Sequence, residues 1–145
     1  MEMIPEEERE ICPVENQSGG ILMSADFQVA AVKKPLMAVK RISERGNHVG
    51  FGPREEDNFI INSETGNKIK LYPSGNGSYI MKVKFVNGIE TEITVDSGAE
   101  ENVCPFWWGE HFGIRDADRW LHLINASGDI IPHYGTRTVQ MTAPF

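Results

Sequence analysis

The residues of this chain best placed to do chemistry are Asp96, Ser97 and Gly98. They sit within the run Ile93-Thr94-Val95-Asp96-Ser97-Gly98-Ala99-Glu100-Glu101-Asn102-Val103. Ile89 to Val95 alternates apolar and polar residues, the period of a half-buried strand, and the strand stops at Asp-Ser-Gly. Gly98 permits a tight backbone turn, and Ser97 sets a hydroxyl beside the Asp96 carboxylate. A carboxylate presented at a strand end can take or give a proton. Asp, Ser and Gly are equally the residues of an ordinary polar turn, so the tripeptide alone leaves both readings open.

Other reactive side chains lack a partner at a useful spacing. His48, His111, His122 and His133 are scattered, with no His-Glu-x-x-His and no Cys–His cluster, so no metal site and no cofactor is expected. Cys104 reads as a small buried thiol rather than a nucleophile. Gly75-Asn76-Gly77 lacks the lysine and following helix of a phosphate loop and reads as a turn. Lys33-Lys34 and Lys40-Arg41 read as a solvated face.

The chain has 145 residues, enough for one domain with a real core. Its net charge of −7 argues against nucleic acid as a partner, because a phosphate backbone calls for a basic face. No apolar run approaches membrane-spanning length, so no membrane partner is expected. Glu6, Glu7 and Glu8 stand where a signal peptide would be apolar. The two cysteines, Cys12 and Cys104, form no Cys-x-x-Cys pair. A reduced, intracellular and cytoplasmic setting follows as the expectation.

The elements that must position Asp96 are mostly strands. Residues 1–20 are acidic, carry Pro5 and Pro13, end in Ser18-Gly19-Gly20 and read as a flexible arm, or at most a short helix around Glu6–Ile11; residues 21–145 read as the folded domain. Strands are expected over Ile21 to Val32, Leu36 to Val39 after Pro35, and His48 to Phe51, with a short helix over Lys40 to Arg45 stopped by Gly46. Phe59–Asn62 and Lys68–Tyr72 flank a turn at Glu64-Thr65-Gly66-Asn67. Ser78 to Val86 places Tyr79, Met81, Val83 and Phe85 on one face, and Asn87-Gly88 returns the chain toward Asp96 as a hairpin. Cys104 to Trp120 holds all three tryptophans and little periodicity; Trp107-Trp108-Gly109 reads as a packed loop or short helix. Leu121 to Ile131 is a second hairpin around Asn125-Ala126-Ser127-Gly128-Asp129, and Thr136 to Met141 is a last strand.

The order of these parts resembles the retropepsins. Tyr79–Val103 is similar to the opening of that family: strand, tight hairpin, second strand, Asp-Ser-Gly-Ala, and a valine four residues on. Leu123 to Met141 is similar to the family's flap and the strand leaving it. Lys34-Pro35-Leu36-Met37-Ala38-Val39 with Gly46-Asn47-His48-Val49-Gly50-Phe51 looks like the closing segment of copia-type retrotransposon proteases. Two features depart from the pattern. The closing segment comes first, so the order is circularly permuted or spans a junction of tandem units. Ala38 stands where the family often has glycine.

The resemblance implies a mainly all-β fold, a small closed β-barrel of the acid-protease half-domain type with one short helix. It implies an aspartic endopeptidase acting on a polypeptide substrate. Such chemistry needs two carboxylates sharing one proton, and this chain has a single Asp-Ser-Gly, so the resemblance also implies a homodimer with Asp96 facing its counterpart. Ser97 would hydrogen-bond across the dimer, Gly98 would let backbone approach the substrate, and Ala99 would pack beneath. Asn125, Ala126, Ser127, Gly128, Asp129 and Ile130 would form the flap over the peptide. The alternative is a non-catalytic barrel of the same type, a degenerate or domesticated module that binds peptides or dimerises. The permuted reading further expects Thr136–Met141 beside Phe27–Val32, although they lie at opposite ends of the chain.

Overall fold

The computed structural model describes residues 2–3 and 20–143. The arm expected over residues 1–20 thus falls largely outside the described residues. Of it, β1 (Glu2–Met3) runs antiparallel along β2 (Ile21–Ala30), with Met3 opposite Met23.

The chain then follows its hydrophobic pattern closely. Pro35 opens β3 (Leu36–Ala38), which passes directly into helix α1 (Val39–Glu44). Ile42 turns from the helix into the core, with Val39 packed against its edge, and Gly46 ends the helix at φ 79°, a conformation that costs glycine little. β4 (Asn47–Gly50), β5 (Phe59–Asn62) and β6 (Lys68–Lys70) form a separate antiparallel three-stranded sheet. The single strand expected over Lys68–Tyr72 is divided. Leu71 is fully buried and gives its N–H to Asn58 O at 2.9 Å, and the chain changes partner there, so that β7 (Tyr72–Pro73) pairs with β8 (Tyr79–Phe85) instead.

β8 and β9 (Glu90–Asp96) form the hairpin that Asn87-Gly88 announces, with Gly88 at φ 93° and its N–H on Phe85 O at 2.8 Å. β10 (Val103–Cys104) follows the Asp96 turn, β11 (Leu123–Ile124) and β12 (Ile130–Ile131) form the second hairpin, and β13 (His133–Ala143) ends the described chain.

The main sheet closes on itself. From β2 the order runs through β10, β3, β9, β8 and β13, and β13 pairs back onto β2. Two of these pairings, β10 with β2 and β3 with β9, are parallel. The longest is the antiparallel pairing of β13 with β2, which sets Arg137 opposite Phe27 and Val139 opposite Ala25. The two runs expected to meet from opposite ends of the chain are therefore neighbours.

Inside the ring lie Phe27, Met37, Met81, Ile93 and Met141, all without exposed surface. Burial of each such side chain contributes about 1.5–3 kcal/mol. Trp108 caps this core: Phe27 and Phe85 meet it edge-on at 5.0 Å, and its indole N–H donates to Thr91 Oγ1 at 2.9 Å. Trp107, by contrast, is exposed. Among the described residues no helix is long and apolar enough to cross a membrane.

Candidate active site

Alternation along β9 decides what Asp96 faces. Ile93 and Val95 are buried, and Thr94 and Asp96 on the other face are half-buried. β3 lies parallel alongside, in a register that sets Met37 opposite Val95 and Ala38 opposite Asp96. Both strands end there, so the carboxylate stands at the mouth of two adjacent parallel strands.

The turn beyond is held differently from the sequence-based expectation. The Ser97 hydroxyl makes no hydrogen bond among the described residues. Instead Asp96 Oδ1 accepts the Gly98 N–H at 2.7 Å. Gly98 is also not in a left-handed conformation, since its φ is absent from the positive range that nine other glycines occupy. A Cβ at Gly98 would meet nothing nearer than Asp96 Oδ1, at 3.4 Å, an ordinary contact. Ser97 and Gly98 are exposed and Ala99 is half-buried. The turn in isolation does not require glycine.

Three residues without a recognisable motif hold this turn and the loop beyond β10 in place. Asn102 is 7% exposed. Its Oδ1 accepts the Ala38 N–H at 2.9 Å, its Nδ2 donates to Asp26 O at 3.1 Å, and its own carbonyl accepts the Gln28 N–H at 2.8 Å. The Asp96 turn is thus bolted to β3 and β2 together. Arg41 on α1 donates to the Glu101 carboxylate, to Glu100 O at 3.2 Å and to Glu44 Oε2 at 3.0 Å, while Lys40 Nζ reaches Glu100 Oε2 at 3.0 Å. These partly exposed pairs contribute little stability each, but the three contacts that reach Glu100 and Glu101 from one helix turn fix the loop's orientation.

Arg137 is the third. It is 2% exposed, yet faces no carboxylate: its Nε donates to Gly113 O at 2.7 Å, and Nη1 bonds the carbonyls of Phe106, at 3.1 Å, and Trp108. The guanidinium gathers the loop after β10 around itself. Its place was legible in principle, since Arg137, Val139 and Met141 share the inward face of β13.

Cys104 is fully buried in β10, as its sequence context indicates. Burial pushes its thiol up to about 11, against the opposing pull of Arg137. A thiol kept protonated in this way is a poor nucleophile.

The expected flap residues form a well-made hairpin tip. Asn125 Oδ1 accepts the N–H groups of Ser127 and Asp129, both at 3.0 Å, and Gly128 sits at φ 85°. Ile124 and Ile130 flank the tip and are 63% and 69% exposed. Residues 125–130 make no hydrogen bond to residues 96–99 among those described. Asp96, Ser97, Gly98 and Ala99 are therefore gathered on one turn, to which the hairpin is not hydrogen-bonded among the described residues.

Beside the turn opens a polar cleft of about 320 Å³. Glu101 and Asn102 line one end of it, and Gln28, Thr136 and Leu121 another; Asp96 does not line it. Several of its charged groups pair with one another: Arg115 Nη2 donates to Asp26 Oδ2 at 3.4 Å, and Arg41 pairs with Glu44 and Glu101.

No protein-family model, no curated protein and no solved structure matches this chain.

Proposed function

We propose that this chain is an aspartic endopeptidase of retroelement type, retropepsin-like with its segments permuted, and that it works as a homodimer. The observation that carries the reading is the placement of Asp96. It ends a strand of a closed six-strand ring, opposite Ala38 of a parallel neighbour, on a turn whose serine and glycine are exposed although the turn itself does not need a glycine.

In the dimer, Asp96 of one protomer is ionised and takes a proton from water. The water oxygen attacks the scissile carbonyl carbon, while Asp96 of the partner subunit, protonated, donates to the carbonyl oxygen. The tetrahedral diol collapses as a proton passes to the amide nitrogen, and the amine leaves. The unbonded Ser97 hydroxyl is free to bridge the two turns. The bare Gly98 admits backbone from the substrate, and the Leu123–Ile131 hairpin closes over the peptide with Ile124 and Ile130 toward it.

The decisive experiment incubates the protein with an unstructured polypeptide, with and without a pepstatin-like inhibitor, alongside a measured mass in solution. Inhibitor-sensitive cleavage by a dimer supports the reading. A dimer that binds peptide without cutting it supports the second reading, a domesticated binding module. One observation favours that module: Ala38 replaces the glycine often found where the family's closing strand approaches the catalytic loop.

A further inference from the structure

The ring of His133 closes the base of the second hairpin. Leu121, just before β11, donates its backbone N–H to His133 Nδ1 at 3.1 Å. His133 itself opens β13, just after β12. A single imidazole therefore ties the strand entering the hairpin to the strand leaving it.

The bond fixes the tautomer. Nδ1 accepts, so the ring's proton sits on Nε2, which donates to Gln28 Oε1 at 2.8 Å and lies 3.1 Å from Gly135 O. Gln28 Oε1 also accepts the Thr136 hydroxyl at 3.1 Å, which seats the glutamine, and Trp120 meets the ring edge-on at 5.1 Å. Each of these contacts is compatible with a neutral imidazole. A second proton on Nδ1 would turn an acceptor into a donor aimed at the Leu121 N–H.

We propose that His133 is a pH-sensitive latch on the Leu121–His133 hairpin, closed when the ring is neutral and released when it is protonated. The groups touching the ring are Gln28 on β2, Gly135 on β13, and Leu121 and Trp120 in the preceding loop, all uncharged. Charges stand further off, in the adjoining cleft: Asp26 on β2, Arg115, Asp118 and Arg119 on the loop, and Arg41, Glu44 and Arg45 on or beside α1, with Glu101 on the Asp96 turn. Four are acidic and four basic. Protonation at Nδ1 removes the acceptor of the Leu121 N–H, so acidification releases the latch. Among the described residues the hairpin is otherwise held by its own two-residue strand pairing, its tip bonds and the Ala31 N–H on Pro132 O at 3.3 Å, so loss of the latch loosens it at its entering strand. The latch does not depend on the hairpin covering a substrate.

Amide hydrogen exchange on the whole chain, expressed as protection factors to remove the intrinsic pH dependence, tests it. Protection at Leu121 is expected to fall roughly three- to tenfold between pH 7.5 and 5.0, the change one net hydrogen bond corresponds to, while Val83 in the core hairpin stays unchanged. His133→Asn offers a carbonyl oxygen near the position of Nδ1 and should keep Leu121 protected at both pH values. His133→Ala should leave it unprotected at both. Nitrogen shifts of the ring at pH 7.5 should report the Nε2–H tautomer. Equal Leu121 protection at both pH values in the native chain, or an Nδ1–H tautomer at pH 7.5, would overturn the proposal. Loss of Val83 protection in parallel with Leu121 would overturn it too, since acid would then be unfolding the domain rather than opening the hairpin.

Discussion

Ala38 gives its backbone N–H to the side chain of Asn102 at 2.9 Å, and Ala38 is the residue opposite Asp96 in the parallel pairing of β3 with β9. The position of the candidate carboxylate is therefore set by a residue six places beyond it, through a strand 58 places before it. Asn102→Ala takes the partner from the buried Ala38 N–H and from the part-buried Asp26 carbonyl. The expected loss is about 1–3 kcal/mol, read as a lower urea midpoint with an unchanged slope. A midpoint equal to that of the native protein would show that Asn102 is not a bolt.

Asp96→Asn preserves shape and removes charge. Any peptidase activity should fall roughly 10²–10⁴-fold, the range a positioned acid or base supplies, with no loss of fold. In the proposed dimer, association should hold or tighten, because two facing carboxylates would repel when both are ionised. If the proposed dimer pairs the two Asp96 carboxylates, activity should decline with rising pH, since such a pair works with one carboxylate protonated. Retention of full activity in the Asn variant would remove Asp96 from the mechanism.

Arg137 supports a prediction about the fold alone. Arg137→Lys keeps the charge, but a single ammonium cannot span the carbonyls of Gly113, Phe106 and Trp108, which the planar guanidinium fork reaches together. Buried carbonyls then go unpaired, at an expected cost of about 2–4 kcal/mol. Trp108 should report it through a red-shifted emission and a weakened near-ultraviolet dichroism. Native-like stability in the lysine variant would mean that the loop holds itself.

These residues also show what was legible in the sequence. Period-two alternation marked Tyr79–Val95 and its Asn87-Gly88 turn, because one face of that hairpin is core and the other solvent. Pairings between distant parts left weaker traces. The contact of β13 with β2 came from the order of parts rather than from any local signal, and Asn102 carries no motif, since its role lies in two backbone groups distant in the chain. Gly135 reads as a break before the last strand; it is a bulge within β13, at φ 145°, where a Cβ would stand 2.5 Å from Arg115 O. Alternation predicts continuity and cannot show a neighbouring loop pressing against the strand. The Asp96 turn was legible in its residues but not in its hydrogen bonds, because a serine hydroxyl and a backbone amide are equally capable of holding a turn.

The Cys104 thiol, pushed up to about 11 by burial, ties stability to alkaline pH. The unfolded thiol ionises near its ordinary value of 9.0, while the folded one stays protonated to about 11. Between those values the folded state binds the extra proton, so stability falls as pH rises through that window. Cys104→Ala should flatten this alkaline limb while costing some core packing at all pH values. In the native protein, alkylation of Cys104 at pH 8 should proceed only as fast as the domain opens. Rapid labelling in the folded state would contradict a buried, protonated thiol.

Gly98 separates the catalytic reading from an ordinary turn. Its backbone does not need glycine, and a methyl group there meets only Asp96 Oδ1, at 3.4 Å. Gly98→Ala should therefore fold normally and shift stability by no more than about 1 kcal/mol, with a gain expected where the backbone suits alanine. If the turn is merely polar, nothing else changes. If Asp96 faces its counterpart across a dimer and substrate backbone passes over the turn, the methyl group intrudes where that backbone must lie. Activity should then drop on the order of 100-fold, as displaced reacting groups lose it, while the isolated chain keeps its stability. Unfolding midpoint and cleavage rate, measured on the same preparation, distinguish the cases. A variant that is stable and fully active would leave Gly98 as an ordinary turn residue and remove one support of the protease reading.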